Sequence, residues 1–252
     1  MRFNGEVAVV TGGAGGIGHA SAKLLASQGA RVIVADINPE AGEASAEDIR
    51  QAGFEVRFHE VDVTDYDSVE KLVQFATDTY GQLDIMFNNA GIFSDGSKNL
   101  MDMPIEQYKR MISINQDGVF YGIRAAAKAM KERGGVIVNT ASIYAYIADK
   151  NQLPYHASKA AVVGMTKAAA LELARYNIRV VAVAPGMIDT GLIDPWRADE
   201  KVFNTIQKAH MRRKLGTPEQ VAQVVAFLAS DEASFINGHA YLVDDGAAAF
   251  KR

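Results

Sequence analysis

A single doubly wound α/β domain is the fold class that this 252-residue sequence predicts. Three observations predict it. Short runs rich in Val, Ile and Ala alternate with stretches of helical composition along the chain. A glycine-rich run joins the first apolar run to the first helical stretch. Because no repeat, low-complexity tract or linker interrupts the alternation, we expect residues 1–252 to form one domain.

The start of the chain has the order of a βαβ unit. Residues 7–10 predict a strand buried on both faces, since the run contains no polar residue. Residues 20–27 have helical composition, Gly29 is a suitable C-cap, and residues 31–36 predict a second strand. The glycine-rich run at residues 11–18 can place backbone amides at a helix N-terminus, where a pyrophosphate binds favourably. This order predicts a dinucleotide site, with a flexible turn as the alternative.

An acidic residue closes the second predicted strand. Asp36 stands 24 positions after Gly12, where its carboxylate can accept hydrogen bonds from an adenosine ribose. Two unit charges about 4 Å apart interact by roughly 4 kcal/mol at an effective dielectric constant of about 20, so this carboxylate should repel a 2′-phosphate. Neither Gly15 nor Ile37 offers a compensating cation. We therefore expect NAD and not NADP, with a plain strand-end turn as the alternative role of Asp36.

The rest of the first half continues the alternation. Residues 39–52 predict a helix, residues 55–61 a less buried strand, and residues 83–87 the fourth strand, after a helix from about residue 65 to residue 80. The fourth strand leads into Asn88-Asn89-Ala90-Gly91. Short amides and Gly at that place can form a structural turn or contact a cofactor, and the sequence leaves both open.

The second half adds polar residues at strand ends. Residues 104–131 predict one long helix that contains Asn115. Residues 135–140 and 179–184 predict two further buried strands. Ser142 follows the first of them, and a strand-end serine belongs at the carboxyl edge of a parallel sheet, where ligands bind.

A tyrosine and a lysine form the main candidate for chemistry. Tyr155 and Lys159 are four residues apart at the start of a predicted helix, so their side chains share a face. A nearby ammonium lowers the pKa of a phenol from its usual value of about 10, which would make the tyrosine a general acid/base. Tyr146 and Lys150 have the same spacing, so spacing alone does not select the pair.

Composition and charge exclude several classes of function. The net charge of -4 gives no basic surface for nucleic acid or an anionic membrane. The sequence has no cysteine, hence no disulfide and no thiolate zinc site, and we expect no metal site. No signal sequence and no run of about 18 apolar residues is present, so we expect a cytoplasmic protein whose partner is a small molecule.

Six segments together resemble the short-chain dehydrogenase/reductase family over nearly the whole chain. They are Thr11-Gly-x-x-x-Gly16-x-Gly18, Asp62-Val63, Asn88-Asn-Ala-Gly91, Asn115, Ser142 with Tyr155-x-x-x-Lys159, and Pro185-Gly186 with Thr190. The resemblance implies a Rossmann domain with a seven-stranded parallel sheet flanked by helices, in the single-domain, NAD-preferring subgroup. It also implies hydride transfer between nicotinamide and an alcohol or carbonyl carbon, and it selects Tyr155 over Tyr146. The departure is Asp244-Asp245-Gly246, where relatives usually have one acid and two glycines.

The resemblance further implies which residues form the site. Its catalytic residues are Asn115, Ser142, Tyr155 and Lys159. Its cofactor-binding residues are Gly12, Gly15, Gly16, Ile17, Gly18, Asp36, Ile37, Asp62, Val63, Asn89, Ala90, Gly91, Tyr155, Lys159, Pro185, Gly186, Ile188 and Thr190. Ser142 would donate a hydrogen bond to the substrate oxygen, Tyr155 would exchange the hydroxyl proton, and Lys159 would hold the nicotinamide ribose. Asn115 would position a water that connects Lys159 to solvent.

A mostly apolar set of side chains is expected to bind substrate, around a substrate loop at about residues 187–214. The set is Ser142, Tyr144, Tyr146, Leu153, Met187, Leu192 and Trp196, with Ile193, Phe203 and Met211 as further candidates. The apolar members predict an uncharged, bulky or cyclic secondary alcohol or ketone. Each could equally be ordinary core or surface, and the basic turn Arg212-Arg213-Lys214 is either a solvated turn or a grip for an anion.

Two other functions stay open, and an assembly is expected. A 3-oxoacyl carrier-protein reductase is the enzymatic alternative, disfavoured by Asp36 because such relatives commonly use NADP. A nucleotide-sensing regulator without turnover could dispense with Ser142, Tyr155 and Lys159. We expect a homotetramer, from the resemblance and from a helix face of small residues that permits close packing. These small residues are Ala157, Ala160, Ala161, Gly164 and Ala168.

Overall fold

The computed structural model describes residues 1–93 and 96–250. Within these residues, seven strands form one sheet in the order β3-β2-β1-β4-β5-β6-β7, and all neighbours are parallel. The strands are β1 (Val7–Thr11), β2 (Arg31–Asp36), β3 (Val56–Glu60), β4 (Ile85–Asn88), β5 (Gly135–Thr140), β6 (Ile178–Pro185) and β7 (Ala240–Val243). The arrangement confirms the predicted fold class.

Helices cover both faces of the sheet. They are α1 (Gly16–Ser27), α2 (Pro39–Gln51), α3 (Tyr66–Tyr80), α4 (Ile105–Ile112), α5 (Gly118–Met130), α6 (Leu153–Leu173), α7 (Asp194–Arg197), α8 (Glu200–Gln207) and α9 (Pro218–Ala229). One buried cluster joins the sheet to α1, α2 and α9, and a second joins it to α3, α5 and α6. The strands alternate between the two clusters, as Val10 and Val9 do, because successive side chains point to opposite faces.

The strand order reverses at β1, which places the site. This strand has β2 on one side and β4 on the other. In doubly wound sheets, ligands bind in the crevice beyond the carboxyl ends of the strands at such a switch point. The glycine-rich run after β1 and the Asn88-Asn89-Ala90-Gly91 segment after β4 therefore meet at this crevice.

The predicted long helix over residues 104–131 is interrupted. Between α4 and α5 the chain forms a π-helical turn, Ser113–Asp117, with Asn115 in its middle. The Asn115 side chain bonds the backbone of Ile92 in another segment, a tertiary contact that helical periodicity cannot reveal. Short π-helical turns of this kind occur frequently at functional sites.

Candidate active site

The glycine-rich loop is packed against backbone. A Cβ atom added to Gly18 would lie 2.0 Å from the Gly12 carbonyl oxygen, and one added to Gly12 would lie 2.8 Å from the Ala90 Cα atom. No side chain fits at either position. The first turn of α1 contains no acidic residue, so its backbone amides can receive a pyrophosphate. The loop therefore fits a dinucleotide.

The segment after β4 is a structural turn that also reaches the crevice. The Thr11 hydroxyl oxygen accepts hydrogen bonds from the backbone N–H groups of Asn89 at 3.0 Å and Ala90 at 3.2 Å. The Asn89 side-chain amide donates to the carbonyl oxygens of Thr11 and Gly12. The structural turn is present, and Ala90 and Gly91 also line the cavity beside it, so cofactor contact stays a prediction.

The cofactor cavity is the crevice of about 480 Å³ beside β1 and β2. Seven residues predicted to bind cofactor line it, namely Gly12, Asp36, Ile37, Asp62, Val63, Ala90 and Gly91. Asp36 is fixed at the end of β2, since its carboxylate accepts hydrogen bonds from the backbone N–H groups of Ala14 and Asn38, both at 3.1 Å. That position suits a ribose hydroxyl.

Part of the lining of the cofactor cavity is not indicated by the sequence. Arg110, Ser113 and Ile114 enter the cofactor cavity from the α4 side, and Thr64 enters after β3. Arg110 matters most because it brings a cation to the cavity that contains Asp36. No sequence signal places α4 here, because Arg110 is more than 70 positions from Asp36 along the chain.

Ser142, Tyr155 and Lys159 meet where β5 ends beside α6. Lys159 is only 3% exposed, and its Nζ donates a hydrogen bond of 2.7 Å to the Thr140 carbonyl oxygen. The same Nζ lies 5.6 Å from the centre of the Tyr155 ring. Burial lowers the pKa of Lys159 to about 8. The three groups thus combine a hydroxyl, a phenol and a desolvated ammonium.

The tyrosine differs from the sequence-based expectation. Burial raises the pKa of Tyr155 to about 12, and a hydrogen bond from Ser142 lowers it only in part. The expected lowering by Lys159 is wrong for this structure, because desolvation of the phenolate dominates and the ammonium is bonded to Thr140. At neutral pH the phenol therefore holds its proton, the state that a proton donor requires.

Asn115 is fully buried and holds the loop after β4. Its Nδ2 donates to the Ile92 carbonyl oxygen and its Oδ1 accepts from the Ile92 N–H, both at 2.8 Å. A Cβ atom on Gly91 would lie 3.3 Å from this Oδ1 and 3.6 Å from Lys159 Nζ. Asn115 is therefore adjacent to Lys159, with the absence of a Gly91 side chain leaving the approach open.

The inner cavity, of about 80 Å³, lies beside Ser142 and Tyr155. Five of the candidate substrate-binding side chains join Ser142 in its lining: Tyr144, Met187, Leu192, Trp196 and the further candidate Ile193. Five predicted cofactor residues besides Tyr155 also line it, namely Ile17, Pro185, Gly186, Ile188 and Thr190. Tyr146 and Leu153 are not in this lining, and they are 48% and 44% exposed.

The remaining predicted glycines of the loop lie outside both linings. A Cβ atom on Gly16 would lie 3.1 Å from the Thr190 Cγ2 atom, so the glycine-rich loop and the segment after β6 are in close proximity. A Cβ atom on Gly15 would meet nothing within 4 Å. This open space at the start of α1 agrees with a position for phosphate.

A group of aromatic side chains centred on Phe93, the aromatic wall, lines the inner cavity. Phe93 lies edge-on to Tyr155 at 4.4 Å and to Trp196 at 5.1 Å between ring centres, and stacks with Tyr144 at 6.0 Å. The available signal was an aromatic residue two positions after Gly91. This signal alone does not show that the segment after β4 folds back over the site.

The basic turn is separate from the inner cavity. Arg212 pairs with Asp245, whose carboxylate also accepts from the Arg212 N–H at 2.7 Å. Arg212 and Lys214 line another cavity, of about 420 Å³, beside β7. The second acid of Asp244-Asp245-Gly246, where the sequence departs from the family pattern, is thus the partner of this turn.

The described residues offer neither a metal site nor a membrane-spanning helix. No group of three or more His, Asp or Glu side chains that could hold a metal ion is found there. Over the same residues, no helix combines the length and apolar composition that crossing a bilayer requires.

Known proteins resemble the chain over almost its whole length. A family model described as enoyl-(acyl carrier protein) reductase matches residues 12–248. Cyclohexanol dehydrogenase of Acinetobacter sp. (strain SE19) is 42% identical over 244 residues, which cover 96% of this chain and 95% of that protein. The 3-oxoacyl-[acyl-carrier-protein] reductase FabG of Thermotoga maritima is 39% identical over 247 residues, which cover 98% of this chain and 99% of that protein.

A solved structure gives the same result. The crystal structure of levodione reductase has a TM-score of 0.94 and 35% sequence identity, and the match covers 99% of this chain and 100% of that one. Sequence, fold and site geometry agree, and the chain belongs to the short-chain dehydrogenase/reductase family.

Proposed function

We propose that this protein is an NAD-dependent oxidoreductase that interconverts a bulky or cyclic secondary alcohol and its ketone. One observation carries the proposal. Ser142 and the protonated Tyr155 lie in the lining of a small, mostly apolar cavity, beside residues suited to a nicotinamide. A hydroxyl and a phenol in this position suit a substrate with one reacting oxygen and apolar surroundings.

The chain's own residues supply binding and proton transfer. When bound, the cofactor exchanges a hydride with the carbon of the substrate. In ketone reduction, Tyr155 donates its phenolic proton to the carbonyl oxygen, and Ser142 donates a hydrogen bond to the same oxygen as charge develops there. Lys159, with its lowered pKa, replaces the phenolic proton and holds the nicotinamide ribose. In alcohol oxidation each proton moves in reverse.

Asp36 supports NAD as the preferred cofactor. Its carboxylate is fixed by two backbone N–H groups at the end of β2, so it cannot turn away from a 2′-phosphate without losing both bonds. Arg110 is exposed on α4, where its side chain also reaches solvent. We expect NADH to bind at least tenfold more tightly than NADPH. Asp36→Asn should reduce the difference in affinity between NADH and NADPH, whereas Arg110→Ala should leave NADH as the tighter ligand. Equal affinities of the wild-type protein for NADH and NADPH would contradict the assignment of NAD.

The substrate assignment rests on the inner cavity and on one relative. The lining around Ser142 and Tyr155 is aromatic and aliphatic, which disfavours a carboxylate next to the reacting carbon because burying an unpaired charge is costly. Cyclohexanol dehydrogenase is named for a cyclic secondary alcohol. Both points favour a substrate that is cyclic or bulky and uncharged where it reacts.

A 3-oxoacyl carrier-protein reductase is the second candidate. The FabG relative favours it, while Asp36 opposes the NADP that such reductases commonly use. A regulator without turnover is disfavoured, because it has no need of Ser142, Tyr155 and Lys159 in one place.

The deciding experiment is a substrate panel. NADH and NADPH oxidation should be followed with cyclic ketones, 3-oxoacyl thioesters and 2-oxo acids of similar size. We expect kcat/KM for the best cyclic ketone with NADH to exceed that of the matched 2-oxo acid at least tenfold. A clear preference for the 3-oxoacyl thioester would favour the second candidate. No turnover of any substrate would favour a regulator.

The cytoplasmic location and the homotetramer remain proposals. The described structure supports the second through α6, where Ala157, Ala160, Gly164 and Ala168 are exposed and offer a flat surface to another copy. Light scattering should give four times the chain mass of 27.2 kDa. A mass near 27.2 kDa at micromolar concentration would contradict the assembly.

A further inference from the structure

A second cavity continues outward from the inner one. This outer cavity has a volume of about 390 Å³, against about 80 Å³ for the inner cavity. The two cavities share Phe93, Tyr144, Met187 and Trp196 as walls. Because the inner cavity is small and the two cavities share walls, the outer cavity offers space for the part of a larger substrate that lies away from the reacting carbon.

The outer cavity has two lysines from separate parts of the chain. Lys150 precedes α6 and Lys201 lies in the first turn of α8, and both are exposed. Among the hydrogen bonds and ion pairs of the described residues, none involves either ammonium group. Two cations in one cavity, each without a protein anion in the described part of the chain, form a place for an anion from outside.

One carboxylate shares this cavity and does not neutralise it. Asp149 accepts a hydrogen bond from the Tyr144 hydroxyl at 3.2 Å and another from the Lys150 backbone N–H at 2.9 Å. The Asp149 carboxylate is therefore already hydrogen-bonded to Tyr144 in the aromatic wall and to the backbone of its own loop. With two ammonium groups and one carboxylate, the charged lining of the outer cavity is positive.

We infer that the substrate is a cyclic ketone or secondary alcohol with a carboxylate on the side of the ring opposite the reacting carbon, bound by Lys150 and Lys201. The inference rests on the proposed function and refines it. Near Tyr155 the lining is apolar, so the substrate is uncharged there, whereas its far end reaches exposed cations. The position of the charge relative to the reacting carbon, and not its presence, separates this substrate from a 2-oxo acid.

The expected gain is moderate, because both lysines are exposed. Exposed ion pairs typically stabilise a complex by about 0.2–1 kcal/mol each, and two such pairs correspond to roughly twofold to thirtyfold in affinity. The effect should appear mainly in KM, since the distal charge is bound equally before and during hydride transfer.

The test compares two ketones of the same shape, 4-oxocyclohexanecarboxylate and 4-oxocyclohexanecarboxamide, at saturating NADH and low salt. We expect the wild-type protein to favour the carboxylate about twofold to thirtyfold in kcat/KM. The double variant Lys150→Gln/Lys201→Gln should bring the ratio close to one by lowering kcat/KM for the carboxylate. Lys208→Gln is the matched control, because Lys208 follows α8 and is exposed but does not line the cavity. It should keep the wild-type ratio.

Three outcomes would overturn the inference. They are a wild-type ratio of one or below, a ratio that the double variant leaves unchanged, and an equal loss in the Lys208→Gln control. In each of these cases, turnover of the carboxamide or of an unsubstituted cyclic ketone would leave the proposed function standing. Failure to reduce any cyclic ketone would instead remove the proposed function and the inference together.

Discussion

The cofactor side and the substrate side of this site are built from different parts of the polypeptide. On the cofactor side, Gly12 and Gly18 lie against backbone, and Thr11 is bonded to the backbone after β4. On the substrate side, the walls are side chains such as Phe93 and Trp196 from distant segments. The glycine-rich loop and the backbone it packs against, here called the backbone cradle, leave no room for larger residues. The side chains of the substrate wall, in contrast, can be substituted without altering the fold. We therefore expect substitutions on the cofactor side and on the substrate side of the site to have separate effects.

The largest expected effect is on the group where the two sides meet. Tyr155→Phe deletes one hydroxyl and little volume, so it should lower kcat at least about a hundredfold, the usual range for a positioned proton donor. NADH binding, measured by fluorescence titration, should stay within twofold. If the variant kept more than about a tenth of the wild-type rate, another residue would have to donate the proton.

Lys159 should make stability depend on pH in an identifiable window. Its pKa is about 8 in the folded chain, below the usual value of 10.5, so between these values the unfolded chain binds more protons and the free energy of unfolding rises with pH. The rise should be on the order of 2–3 kcal/mol. Tyr155 acts in the opposite direction, but only above about pH 10, since its pKa is raised from 10.0 to about 12.

Lys159→Met isolates this contribution. Between pH 7.5 and pH 10, the free energy of unfolding measured with denaturant should rise in the wild-type protein and rise less or not at all in the variant. The contributions of titratable groups that both proteins share cancel in this comparison. Parallel curves for the two proteins would mean that Lys159 is solvated more than its 3% exposure indicates.

The backbone cradle should respond to single methyl groups by position. Gly18→Ala places a Cβ atom 2.0 Å from the Gly12 carbonyl oxygen, whereas Gly15→Ala meets nothing within 4 Å, and Gly15 has an extended φ of -169° that any residue adopts. Overpacking typically costs about 1–3 kcal/mol, which lowers Tm by several degrees in a chain of this size. We expect that loss for Gly18→Ala and less than about one degree for Gly15→Ala. Equal values of Tm would show that the loop adapts.

The same division explains what the sequence could predict. The apolar runs and the glycine spacing predict the sheet and the cofactor cavity, because Gly18 and Asp36 are required by local geometry and charge. The cavity positions of Arg110, Phe93, Lys150 and Lys201 are seen only in the structure, since no local sequence pattern shows which distant segments fold over the site. The raised pKa of Tyr155 was missed for a related reason, because desolvation depends on what packs around a group and not on the spacing to Lys159.

The smallest expected effect concerns the substrate wall, and it separates two residues that the sequence treats alike. Trp196 and Tyr146 were both predicted to bind substrate, but only Trp196 lines the inner cavity. Trp196→Ala removes apolar wall from the inner cavity. Because each Å² of buried apolar area contributes about 25 cal/mol, the loss of roughly 20–50 Å² of contact should raise KM for a cyclic ketone about twofold to tenfold, with NADH affinity unchanged. Tyr146→Ala is the matched comparison, and its KM should stay within twofold. An equal rise in both variants would place Tyr146 in the wall, and a loss of NADH affinity in Trp196→Ala would mean that the two sides of the site are not independent.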